Sequence, residues 1–276
     1  MSSALLALGA IFLWGFLALL GSQLAGLPPL LMTGVALTVG GIIGLVKVRE
    51  WKVPLTTFLV GLAGIFGYHF LLFTAFRHAP TVEANLINYL WPLLIVLLSP
   101  LVLSGYQLRP RHVMGALAGL AGAALIVTGG SLSVDTTGLP GYLAAAGAAL
   151  VWALYSLLTK RLPPFPSGAV GGFCLASGLL ALGIFVMESG PVGFASINGT
   201  DWLFLALLGI GPMGTAFFLW DASLKRGDPR VIGSLSYVTP MLSTLALVVI
   251  GGKPLTALSV VAMALIIAGA VVGSLK

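Results

Sequence analysis

The residues of this chain that could do chemistry lie inside apolar runs. Thr81–Pro100 carries Glu83, Asn85, Asn88, Tyr89 and Trp91 in its first half, with Pro92 directly after. Asn85, Asn88 and Pro92 fall at i, i+3 and i+7 on one helical face, with Tyr89 and Trp91 on its flanks. Pro92 cannot donate a backbone hydrogen bond, so a kink or an opened carbonyl is expected near residue 88. Trp14, the Tyr68-His69 pair, Trp152 with Tyr155 three residues on, and Ser236-Tyr237 add further rings and hydroxyls. What these groups offer is recognition: aromatic faces, amides, one imidazole and at most one acid. Aromatic walls hold a ring at about 0.5–1.5 kcal/mol per well-placed pair, and an ammonium at a similar strength. A carboxylate can accept from Asn, Tyr or Trp donors, or from a half-helix N-terminus beyond a proline break. No zinc-ligand spacing, nucleophile elbow or clustered acid pair occurs, so no catalytic residue, metal or cofactor is expected.

Packing alternatives stand beside each assignment. Tryptophan in a membrane protein is usually interfacial, but Trp14 and Trp152 lie eleven to fourteen residues into their runs. A lone histidine is as often a hydrogen-bonded packing residue, although Tyr68 and the polar run raise His69 above that base. Asn85 and Asn88 could join helices, at about 0.6 kcal/mol per polar contact. Glu83, in a first helical turn, complements the dipole and can reach Arg77; its competing role is a gate or a partner for a substrate ammonium. Asp221, four residues before Lys225, reads as an ordinary intrahelical ion pair. Pro92, Pro240 and Pro212 read as places where helices bend, hence hinge candidates.

Positioning these residues requires helices that cross a bilayer. Hydrophobic residues make up 59% of the 276 and charged ones 7%, and the mean hydropathy is +1.12. Soluble domains carry about a quarter charged residues. Ten spans of roughly 17–25 residues follow: Ser3–Gly21, Pro29–Val46, Pro54–Phe76, Thr81–Leu101, Arg111–Gly129, Gly138–Thr159, Ser167–Met187, Asp201–Lys225, Val231–Ile250 and Leu255–Leu275. Asp228-Pro229 is expected to open the ninth helix, and Thr200-Asp201 the eighth. With both termini cytoplasmic, the inner side holds Lys47, Arg49, Lys52, Arg109, Arg111, Lys160, Arg161, Lys225, Arg226, Arg230 and Lys276, eleven of the thirteen basic residues. Arg77 and Lys253 fall outside, with Asp135, Glu188 and Asp201. This satisfies the positive-inside rule; the expected location is a plasma membrane, the inner membrane of a bacterium. The formal charge of +6 is scattered over short loops, which excludes a nucleic-acid partner. The one cysteine, Cys174, allows no intrachain disulfide.

The chain also repeats. Ala7–Trp14 matches Ala145–Trp152 at an offset of 138, and Asn88-Tyr89-Leu90-Trp91-Pro92 matches Ser236-Tyr237-Val238-Thr239-Pro240 at 148. Two five-helix repeats, 1–135 and 136–276, follow. Five is odd, so one repeat is inverted against the other. Inverted repeats build a central cavity where they meet and expose it alternately to each side.

Five plus five spans, Trp14-Gly15, the Tyr-x-x-Pro runs Tyr89–Pro92 and Tyr237–Pro240, and glycine-rich fifth and tenth spans resemble the drug/metabolite transporter superfamily, EamA type, over the whole chain. Tyr68-His69 and Asn88–Pro92 are similar to its amino-acid-exporting members. Many members carry Gly-Glu-Arg after the fourth and ninth spans; here these places read Gly105-Tyr106-Gln107 and Gly251-Gly252-Lys253, so that glutamate's role does not transfer. The expectation is a polytopic all-α secondary transporter, not an enzyme, exporting aromatic or other apolar amino acids and related metabolites or drugs. A multidrug exporter of flat aromatic cations is the alternative, and an intramembrane enzyme using His69 and Glu83 a distant third. Sugar phosphates would call for lysine or arginine inside the spans, and none is there.

Overall fold

An apolar run in lipid must satisfy its own backbone, and ten runs of this chain do so as helices. A computed structural model of the chain describes residues 2–131, 136–190, 194, 197–252 and 254–274. The spans are α1 (Ser3–Gln23), α2 (Pro29–Trp51), α3 (Leu55–His78), α4 (Thr81–Val102), α5 (Pro110–Thr128), α6 (Leu139–Arg161), α7 (Ala169–Ser189), α8 (Gly199–Arg226), α9 (Pro229–Val249) and α10 (Ala257–Ser274). Expected boundaries agree to within a few residues except in α2, which continues past Gly44 as a 3-10 segment, Leu45–Trp51. Asp135, Lys253, Lys276 and the expected repeat boundary at 135/136 lie outside the described residues.

Helix starts follow local chemistry. Pro29, Pro110 and Pro229 are first residues of their spans, where a missing N–H leaves no bond unmade. Asp228 caps α9 by accepting from the Arg230 backbone N–H at 2.9 Å. The cap of α8 differs from expectation. Asn198 accepts from the N–H groups of Thr200 and Asp201, while Asp201 accepts from the Asn198 N–H at 3.0 Å. This reciprocal box puts Asp201 at its third position rather than at the cap.

Four spans are interrupted. α4 divides into Thr81–Asn88 and Trp91–Val102, and α9 into Pro229–Leu235 and Val238–Val249, the breaks standing just before Pro92 and Pro240. α8 contains a π-helical turn, Gly211–Thr215, that holds Pro212. α1 breaks at Phe16, directly after Gly15, an interruption the sequence reading did not foresee.

Glycines set the closest approaches. A Cβ on Gly115 would meet Gly269 and Gly273 backbone at 2.6 Å, bringing α5 onto α10. Gly41 and Gly44 meet Leu175 and Gly171 as closely, bringing α2 onto α7. Each pair joins a span to its counterpart five spans later, so the two halves interlock through backbone contact. The described basic residues foreseen on the inner side all lie at one end of the bundle, called the basic end below; Arg77 and Glu188 pair at the other, at 3.7 Å.

Candidate substrate site

Rings from four spans meet in the middle of the bundle. Trp14 of α1 lies 6.1 Å from Trp91 of α4, 6.0 Å from Trp152 of α6 and 5.1 Å from Trp220 of α8, between ring centroids. Trp91 is 6.5 Å from Trp152 and 5.6 Å from Trp220, both nearly perpendicular. Phe217 closes the group at 5.4 Å from Trp152. Edge-to-face geometry directs positive ring edges at negative ring faces. Two indoles are tied down: Trp14 Nε1 donates to the Pro212 carbonyl at 3.0 Å, and Trp220 Nε1 to Ser156 Oγ at 3.0 Å. The first bond reaches the π-helical turn, where the widened backbone presents a carbonyl to a side chain. The indole N–H groups of Trp91 and Trp152 have no protein acceptor among the described residues.

Polar groups border the rings on the side away from the basic end. Tyr68 stands 5.2 Å from Trp152, and its hydroxyl accepts from Asn88 Nδ2 at 3.3 Å. The Asn88 carbonyl oxygen is buried without a partner. His69 Nδ1 donates to the Ile65 carbonyl one turn back, at 2.7 Å, and its ring faces Phe217 at 6.1 Å. On the basic side, Tyr155 lies 5.4 Å from Trp152 and packs over Gly64 of α3. Ser156, Leu157, Asp221, Ser223 and Leu224 below it are all buried, whereas Tyr68, Phe73, Asn85 and Tyr89 above are half-buried.

Of the residues singled out from sequence, Trp14, Tyr68, His69, Asn88, Trp91, Trp152 and Tyr155 are therefore brought together. Ser236 and Tyr237 are not. Tyr237 is fully buried among Leu93, Val96, Ala116 and Ile266, and its hydroxyl donates to the Tyr89 carbonyl at 3.2 Å. That carbonyl was freed by the break before Pro92, so Tyr237 repairs a helix rather than facing the rings. Ser236 donates to Ile232 in its own helix, and Tyr89 packs against the same second cluster. Asn85 and Glu83 are half-buried in the first turns of α4, and Arg77 pairs with Glu188 at 3.7 Å. Phe217 and Trp220 were not anticipated. The offset of 148 that relates α4 to α9 places Phe217 at the position of His69, a signal available in the repeat.

Two inverted halves of five spans around a ring-lined middle define a secondary transporter. The model of the EamA-like transporter family matches residues 1–128 and again 139–275, and the chain belongs to that family. It is 42% identical to the aromatic amino acid exporter YddG of Ancylobacter novellus, over 99% of this chain and 97% of the relative. The aromatic amino acid exporter YddG of Escherichia coli is 24% identical over 92% and 90% of the two chains. A solved crystal structure at 42% identity superposes with a TM-score of 0.93 over 99% of this chain and 96% of the other.

Proposed function

We propose that this transporter exports amino acids with aromatic or other apolar side chains, by alternating access, from the cytoplasm of a bacterium. The observation that carries the reading is the convergence of four tryptophans beside two unpaired indole N–H groups and the unpaired Asn88 oxygen. A zwitterion needs such a set: faces for its side chain, N–H donors for its carboxylate and an acceptor for its ammonium. Trp14, Tyr68, His69, Asn88, Trp91, Trp152, Tyr155, Phe217 and Trp220 would contribute. The names of the relatives support the substrate class.

The basic end would face the cytoplasm, with both termini, as the positive-inside rule asks. Burial beneath the rings and partial exposure above them support a conformation closed to the cytoplasm. The repeats 1–135 and 136–276 would rock against each other, bending at Pro92, Pro240 and Pro212. The test is counterflow in proteoliposomes, with labelled tryptophan and phenylalanine, with and without a pH gradient. Exchange of both amino acids is expected; protein that moved none of twenty labelled amino acids would sink the proposal. A viologen-type cation offers no carboxylate to the indole donors, so its separately measured affinity should fall below that of tryptophan.

A further inference from the structure

At the basic end, the tips of α1, α5, α9 and α10 enclose a cleft of about 490 Å³, remote from the ring cluster. Its charges are unevenly matched. Arg230 is committed: Nε and Nη2 reach the Asp228 carboxylate at 3.0 and 2.5 Å, Nη1 donates to the Gln107 carbonyl, and the guanidinium lies over Tyr106 at 5.1 Å. Burial acts to raise the Asp228 carboxyl pKa, but the Arg230 hydrogen bonds outweigh it and hold the group below its ordinary value, so this pair is charged and neutral as a whole. Arg109 and Arg111 have no carboxylate within 4.0 Å among the described residues. Arg111 Nε is buried with no hydrogen-bond partner.

His112, next in the chain, is only 2% exposed, and its Nδ1 accepts from the Arg109 backbone N–H at 3.4 Å. In the neutral ring the proton is then on Nε2, a donor on a residue that lines the cleft. All three residues sit at the amino end of α5, where the helix dipole adds further positive potential. Two unpaired guanidiniums and a donor imidazole in one concavity suit an anion with several oxygens, because guanidinium binds phosphate through paired hydrogen bonds.

We propose that this cleft binds a phosphate group, held by Arg109, Arg111 and His112. The phosphate can come from a lipid headgroup or from a soluble ester. An apolar wall of Val231, Ile232 and Leu235 and the exposed track of Leu8 and Phe12, one and two turns beyond Ala4, would carry an acyl chain away from it. In the proposed orientation this is the cytoplasmic leaflet, where basic pockets between helices bind anionic headgroups.

Native mass spectrometry of the full-length protein, incubated with dioleoylphosphatidylglycerol, tests this, with dioleoylglycerol as the phosphate-free control. Phosphatidylglycerol is expected to bind and dioleoylglycerol not to. Arg109→Gln or Arg111→Gln should weaken binding about fivefold each, and the pair together about thirtyfold. Arg109→Lys with Arg111→Lys should retain most of it, and guards against a glutamine pair that fails to fold. Displacement of the lipid by an equimolar amount of glycerol 3-phosphate or inorganic phosphate would assign the site to a soluble ester; displacement only by a large excess would assign it to lipid. Equal binding of dioleoylglycerol, or glutamine variants that bind phosphatidylglycerol as well as the parent, would overturn the proposal.

Discussion

At the scale of single residues, Trp152 and Tyr237 are the telling contrast. Both are large aromatics in apolar spans, yet Trp152 touches Trp14, Trp91, Tyr68, Tyr155 and Phe217, while Tyr237 spends its hydroxyl on a backbone carbonyl. Trp152→Ala should raise the half-saturation concentration for tryptophan counterflow about tenfold to thirtyfold, from lost ring contacts and one lost N–H donor. Trp152→Phe keeps a ring and drops the donor, so about fivefold is expected. Tyr237→Phe should leave half-saturation unchanged and cost about 0.6 kcal/mol of stability, the average worth of a polar contact between membrane helices. Counterflow titration with thermal unfolding in detergent separates the two. His69 shows what residue type alone leaves open: its Nδ1 proton goes to the Ile65 carbonyl of its own helix, so only Nε2 remains for a ligand.

At the scale of elements, α4 and α3 make opposite points. The break before Pro92 follows from the missing N–H. Pro92→Ala would let residue 92 donate to the Asn88 carbonyl and straighten the span. Turnover should fall about tenfold, about 1.4 kcal/mol in the barrier, with half-saturation nearly unchanged. An equal loss in affinity would contradict a hinge. In α3, two glycines three residues apart should respond with opposite signs. A Cβ on Gly64 would lie 2.3 Å from the Tyr155 ring, whereas one on Gly67 would meet only Val151 at 3.7 Å. Gly64→Ala should therefore destabilise by about 1–3 kcal/mol. Gly67→Ala should stabilise by about 0.5–1 kcal/mol, through helix propensity. Unfolding midpoints of the pair check this.

At the scale of the molecule, the basic end is latched by two lysines. Lys160 of α6 donates to the carbonyls of Leu224 and Gly227 at the end of α8, at 3.0 and 2.6 Å. Lys225 pairs with Asp221 at 2.6 Å and donates to the Phe165 carbonyl between α6 and α7 at 3.0 Å. The Lys160 bonds satisfy helix C-terminal carbonyls of α8, and together the two lysines join α6, α8 and the loop between α6 and α7 over the buried Ser156. Lys160→Met should loosen that closure. A cysteine placed by Ser156→Cys should then react with a polar maleimide added at the basic side, and stay protected with Lys160 intact. Unchanged labelling would remove the latch from the transport cycle.

Span number, basic end, proline breaks and the partnership of Trp14 with Trp152 were legible in the sequence, because each depends on a local rule: bilayer thickness, loop charge, a missing N–H, or an internal repeat. Membership of the ring cluster was only half legible. Asn88 reaches Tyr68, while Asn85, on the same helical face but nearly one turn farther from the break, ends half-buried without reaching it. Tyr237 shares a motif position with Tyr89, and both pack in the second cluster away from the tryptophans, because glycine at 119 admits the Tyr237 ring into the α5–α9 contact. Chain order specifies which helices form and which way they run. Which side chains share one space is settled by how closely the helices approach and how each is rotated, and those depend on contacts between residues up to some two hundred positions apart, as Trp14 and Pro212 are.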